Sequence, residues 1–212
     1  MKKLLLAAAA VAMPVGLIAS TAGVSGAGAP KIDVSHATIA CTSVTGTAKF
    51  APALTIGGSL PENTNVKIAL SGCTVTGAAG VSGVTGSGSG VLHSATNNAI
   101  ALLGPVATTG TINIKWKTTS GKLLSKTTSV TPSTITGGTP SDGYASLAIT
   151  LGSATVTGDF TGTDSGASSS MYAETTQTVG AMTVSATSPA GLKSVTLGTD
   201  GTHTTPNSLN LG

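Results

Sequence analysis

The sequence predicts an all-β fold, an antiparallel β-sandwich, and three observations carry that expectation. Apolar residues alternate with Thr and Ser along much of the chain, the period-two pattern of half-buried strands. Charged residues are only 8% and aromatics 2%, with 29 glycines, so the core must be built mostly from aliphatic and β-branched side chains, which suit a pleated surface. Gly- and Pro-rich turns recur at short spacing, and no stretch after residue 30 carries a helical period. Many strands with few long connections are the pattern of a sandwich or a barrel. Low charge does not signal disorder here, because disordered chains combine low hydrophobicity with high charge.

The first element is a leader. Lys2 and Lys3 precede an apolar run from Leu4 to Ile18, broken by Pro14 and Gly16, and small residues follow. This is an export signal peptide over residues 1–29; a retained span would want about 18 or more unbroken apolar residues. Small-x-small sites end at Ala22, Ala27 and Ala29. Ala-Gly-Ala favours cleavage after Ala29, and the proline that follows it favours Ala27. The formal net charge of +3 includes Lys2 and Lys3, so the remaining chain is close to neutral. No basic stripe with interleaved aromatics is present, which argues against nucleic acid as a partner.

Residues 30–212 are then read as one β-sandwich domain. Strand candidates are 36–50, 64–76, 80–85, 90–94, 98–103, 144–151, 153–160, 170–177, 180–187 and 192–198. "TINIKWK" (Thr111 to Lys117) alternates Ile112, Ile114 and Trp116 with Asn113, Lys115 and Lys117. With the turn "TTSGK" and the stretch "LLSKTTSVT" it predicts a hairpin with one wet face. Trp116 is expected in the core with its indole N–H bonded. Segments 105–111, 131–143 and 161–170 are the richest in Gly, Thr, Ser and Pro. The middle one marks a possible sub-boundary, as an interdomain linker or a long loop of one sandwich.

One strand is nearly written twice. "VKIALSGCTVTG" (Val66 to Gly77) and "LAITLGSATVTG" (Leu147 to Gly158) share Ile68/Ile149, Leu70/Leu151, Thr74/Thr155, Val75/Val156, Thr76/Thr157 and Gly77/Gly158. The similarity reads either as an internal duplication giving two related halves or as chance in a chain of few residue types. Only the first copy carries a cysteine, Cys73, where the second has Ala154. Cys41 and Cys73 are the two cysteines, and in an exported chain a pair is most simply a disulfide, with two buried free thiols as the other reading. Closing a loop of about 33 residues would stabilise the fold by roughly 3–4 kcal/mol on the chain-entropy model.

The sequence holds little that looks catalytic. "TDSGAS" (Thr163 to Ser168) has a serine-nucleophile flavour at Ser165, yet His36, His93 and His203 stand in no setting that supplies an oriented base. The carboxylates Asp33, Glu62, Asp142, Asp159, Asp164, Glu174 and Asp200 read as solvated turn residues, without the aromatics a sugar cleft would need. No metal shell and no cofactor motif is found. "GAAGVSGVTGSGSG" (Gly77 to Gly90) lacks the ending of a phosphate loop and reads as a flexible hairpin region. Lys115, Lys117, Lys122 and Lys126 cluster on the Trp116 hairpin. They suit either contact with an anionic envelope polymer or the protection of an edge strand.

The spacing of Cys41 and Gly72-Cys73, the Gly/Thr/Ser/Val-rich strands, "INIKW" and "GDFTGTDSG" together resemble a loose group of secreted actinobacterial proteins. That resemblance implies a secreted, disulfide-bearing β-sandwich and transfers no catalytic residue. The expected role is a non-enzymatic, structural, adhesive or binding protein, secreted or in the cell envelope. Its partner would be cell-wall polymer or another envelope protein, with no membrane span once the leader is gone. An outer-membrane-type β-barrel or channel component is the alternative, opposed by the scarcity of aromatics for lipid-interface girdles. A secreted hydrolase using Ser165 or His93 is more distant.

Overall fold

The computed structural model describes residues 32–101, 104–138, 146–163, 166–174, 191–198 and 207–212. Lys31–Gly212 form one compact unit. Among the described residues every regular element is a strand: β1 (Thr38–Leu54), β2 (Glu62–Thr76), β3 (Gly83–Ser94), β4 (Pro105–Thr118), β5 (Thr128–Pro132), β6 (Thr134–Gly138), β7 (Ser146–Leu151), β8 (Ala154–Thr157), β9 (Ala167–Glu174), β10 (Leu192–Leu197) and β11 (Ser208–Leu211). The all-β antiparallel class read from the sequence is what the chain adopts.

The strands do not stack as two separate sheets. They form a single 11-stranded sheet that curls until its ends meet. β1 pairs with β2, β2 with β3 and β3 with β4, each antiparallel. β4 then pairs with β5 through Ile112 to Ile114 and with β6 through Pro105 to Ala107. β6 passes to β7, β7 to β9, and β9 to β10 and β11. Both of these last strands return to β1, β10 along Gly46 to Leu54 and β11 along Ile39 to Cys41. The alternation that predicts a sandwich is equally the alternation of a rolled sheet, since either buries every second side chain. Which of the two forms depends on whether the first and last strands pair, and here they do.

The inner phase of the long strands is mostly apolar. On β1 it is Ile39, Cys41, Val44 and Ala48; on β2 Val66, Leu70, Cys73 and Val75; on β4 Ile112, Ile114 and Trp116. A bend is needed to roll strands this long. β2 has one at Gly72, whose φ of 60° is left-handed, where the β2–β3 register shifts between Leu70 and Cys73. Extra residues of this kind increase local twist and bend the strand. On the far side the ladder runs on across its interruptions: Gly152 N–H donates to Thr134 O and Ser133 N–H to Ser153 O, both at 2.9 Å.

Several sequence expectations shift. Residues 83–85 of the expected strand 80–85 and all of 90–94 belong to one strand, β3, because "GSGSG" is itself a period-two run. The supposed connecting segment 105–111 is the first half of β4. Asn98 to Ala101 form a bridge and turn rather than a strand, and β11 had no counterpart in the sequence reading. The expected strand at 180–187 lies outside the described residues. The two near-identical stretches occupy β2 and β7–β8, which stand four steps apart either way round the ring β1–β2–β3–β4–β6–β7–β9–β10. Both end on a left-handed glycine, Gly77 (φ 87°) and Gly158 (φ 97°).

Candidate ligand site in the barrel lumen

The base of the barrel is packed solid. Trp116 and Phe160, 1% and 0% exposed, meet edge to face with ring centroids 5.2 Å apart. The expected indole bond is present: Trp116 Nε1 donates to Thr128 Oγ1 at 2.8 Å. That hydroxyl in turn donates to the Asp159 carbonyl at 2.7 Å. Residues 34–37 cross beneath, where Phe160 N–H donates to Val34 O and Thr161 N–H to Ser35 O. β3 makes room for the indole with glycine. A Cβ on Gly86 would lie 2.6 Å from Trp116 Cζ3, and one on Gly88 would lie 2.8 Å from Ile68 Cγ1. The run Gly77 to Gly90 thus divides: its first part is the turn of the β2–β3 hairpin, and Gly86 and Gly88 are a packing surface within β3.

Above this level the interior is not filled. A cavity of about 90 Å³ is lined from β1 through β7 and from β10 and β11. Its walls are apolar, with Val66, Ile68, Leu92, Ile112, Ile114 and Leu151 among them, and its polar lining is mostly Glu62, Thr64, Ser94, Thr96 and Asn98. These five sit at the start of β2 and at the end of β3 and its following turn. Apolar body and polar end are the layout of a small-molecule pocket.

Two connections brace that end. Asn97, 4% exposed, donates from Nδ2 to Ala53 O at 2.8 Å and accepts the Leu60 N–H on Oδ1 at 3.0 Å. Thr55 N–H donates to Asn97 O, Ala99 N–H to Thr55 O, and Thr96 Oγ1 to Gly58 O. The β1–β2 loop and the segment after β3 are thus tied to each other, and they carry the exposed side chains of Ile56, Leu60 and Ile100.

Glu62 is the acid inside. It is 4% exposed, and Thr64 Oγ1 lies 2.9 Å from both of its carboxyl oxygens. The Ala51 N–H also reaches it. Ser94 Oγ is 3.3 Å from Oε2 and 2.8 Å from the Thr96 carbonyl, so its single proton is shared between the two. Burial pushes the Glu62 carboxyl above its ordinary range, outweighing these hydrogen bonds, of which Thr64 contributes most. Asp159 is a second buried acid, near the base. Lys126 N–H donates to its Oδ2 at 3.2 Å, Oδ1 has no partner, and burial raises its pKa as well. Reading these two carboxylates as solvated turn residues is thus corrected.

The residues singled out from sequence fall elsewhere. Cys41 and Cys73 face each other across β1 and β2 and form a disulfide, with Cα atoms 3.9 Å apart. Lys115 and Lys117 stand exposed on the outer face of β4, and Lys122 and Lys126 are exposed in the connection to β5. They do not guard an edge, because β4 is paired with β3 on one side and β5 on the other. His93 is exposed on the outer face of β3, its Nδ1 2.6 Å from Asn63 Oδ1. Ser165 and His203 lie outside the described residues. The signal that could have found Glu62 is its phase: it falls two, four and six residues before Thr64, Val66 and Ile68 on the buried side of β2.

The chain is thus an all-β protein whose single curled sheet encloses an apolar cavity with a buried carboxyl at one end. No family model matches it, and no curated protein or solved structure is similar to it at a significant level.

Proposed function

We propose that this is an exported, non-catalytic binding protein of the extracellular space or cell envelope, and that its barrel interior holds a small apolar ligand. One observation carries the reading. A chain whose lower interior is packed around Trp116 and Phe160 leaves an apolar space of about 90 Å³ above them, although each unfilled methyl-sized volume costs about 1 kcal/mol. The disulfide fits an oxidising compartment and the leader read from residues 1–29. The outer faces of β2, β3 and β4 carry exposed Asn65, Lys67, Ser87, Ser89, Asn113 and Lys115, where a membrane barrel would need an apolar band. That polarity supports a water-facing barrel over the channel alternative. The exposed lysines on β4 remain the place where an anionic cell-wall polymer would touch.

Thermal unfolding and isothermal titration with short-chain alcohols test the reading. Ligand at about 100 times its Kd should stabilise the fold by about 2.7 kcal/mol, a rise in Tm of roughly 5–10 °C for a chain of this size. Ala48→Leu, which adds bulk to the lining, should lose the binding while keeping the unliganded Tm. Short apolar ligands that neither bind nor shift the Tm would rule the proposal out.

A further inference from the structure

Resting on that reading of the interior, we infer that the barrel selects a small amphipathic amine, with Glu62 holding the ammonium head and the aliphatic walls holding a short tail. A carboxylate offers about four acceptor positions. The protein fills up to three of them, with the Thr64 hydroxyl, the Ala51 N–H and the Ser94 hydroxyl, which is shared with the Thr96 carbonyl. The remaining capacity belongs to a side chain that lines the cavity and is 4% exposed, so water is a poor donor to it. The cationic influence that reaches it comes from His93, the smallest of its effects, from a ring on the outer face of the sheet.

A buried carboxyl whose hydrogen bonds do not offset its burial is a cost the fold carries, and a ligand can relieve it in a selective way. A protonated amine brings both a charge and up to three donors, and a charge-assisted hydrogen bond is roughly twice as strong as a neutral one. An alcohol brings one donor and no charge. A carboxylate or phosphate head would meet a like charge in a low-dielectric space, which is strongly unfavourable. The tail is bounded by the volume: an engineered apolar cavity of about 150 Å³ holds benzene, so a space of about 90 Å³ suits a tail of roughly three or four carbons. Val66, Ile68, Leu92 and Ile112 would line that tail.

Titrating the protein at neutral pH with butylamine, butan-1-ol and butanoate tests this. Butylamine should bind at least tenfold more tightly than butan-1-ol, and butanoate most weakly. Glu62→Gln should bring butylamine down to the level of butan-1-ol and leave butan-1-ol within twofold, which also reports that the variant is folded. Glu62→Asp, which draws the carboxylate back, should fall between. Butanoate binding as well as butylamine, or an amine preference that survives Glu62→Gln, overturns the inference and leaves the lumen reading standing. Failure of all three ligands to bind would remove the lumen reading itself.

Discussion

Burial holds a proton on Glu62 and on Asp159 at pH values where the same groups in an unfolded chain have lost it. The folded state therefore binds more protons than the unfolded one across that window, and stability falls as pH rises through it. For Glu62 the decline begins near its ordinary value of 4.5 and ends at the raised folded value. Above that the penalty is constant. Asp33 opposes this at lower pH, because hydrogen bonds from Ser35 lower its pKa. Comparing urea midpoints of the natural chain and Glu62→Gln from pH 4 to pH 8 should show the variant gaining relative stability as pH rises. An equal slope in both would mean that Glu62 is not the buried acid described. A second test at this scale is Thr128→Val. It strips the acceptor from Trp116 Nε1 and the donor from the Asp159 carbonyl, both buried, and should cost roughly 1–3 kcal/mol at unchanged m-value. Trp116 was legible in the sequence because an aromatic in the middle of strict alternation has only one face to take. Glu62 was legible in principle by the same phase, but an acid beside Pro61 and Asn63 also looks like a turn residue, and composition alone cannot separate the two.

β3 shows what an element can hide. Glycine is depleted in strands because it offers nothing to pack, so "GSGSG" argues against a strand on propensity. It becomes one because its inward positions must be empty for Trp116, Ile68 and Ile114 to approach. Gly86→Val should thus destabilise by roughly 1–3 kcal/mol through overpacking, whereas Ser87→Val, one residue on and facing outward, should change stability by less than about 0.5 kcal/mol. Chemical denaturation of the pair measures the contrast, and equal effects would place Gly86 outside the packed interior. The disulfide acts on the pairing of β1 with β2. Replacing both Cys41 and Cys73 by Ala should lower stability by roughly 3–4 kcal/mol on the chain-entropy model, with the strand content by circular dichroism retained. The β4–β5 hairpin was readable because alternation and turn chemistry agree there. β11 was not, being four residues with only two apolar positions, Leu209 and Leu211.

At the scale of the molecule, local pattern specifies strands but not their circuit. Nothing in "TIACTSVTG" announces that its second neighbour is "SLNL", well over a hundred residues away, and this is why the rolled sheet lay beyond the sequence while the all-β class did not. The pairing of Ile39 with Leu211 and Cys41 with Leu209 has a testable weight. Removing residues 207–212 would bare one stretch of β1 and one of β9, and unpaired margins of this kind template association. Size-exclusion chromatography should show the shortened chain moving from monomer to larger species, while an unchanged elution position would deny β11 that role.

The ring also constrains how the protein comes into being. Residue 39 finds residue 211 only after the more than 170 residues between them have been made, so the earliest hairpins must wait with one side bare until β11 arrives. Contacts so distant in sequence are slow to form. The interval before that final join is when a newly made copy is most open to sticking to another.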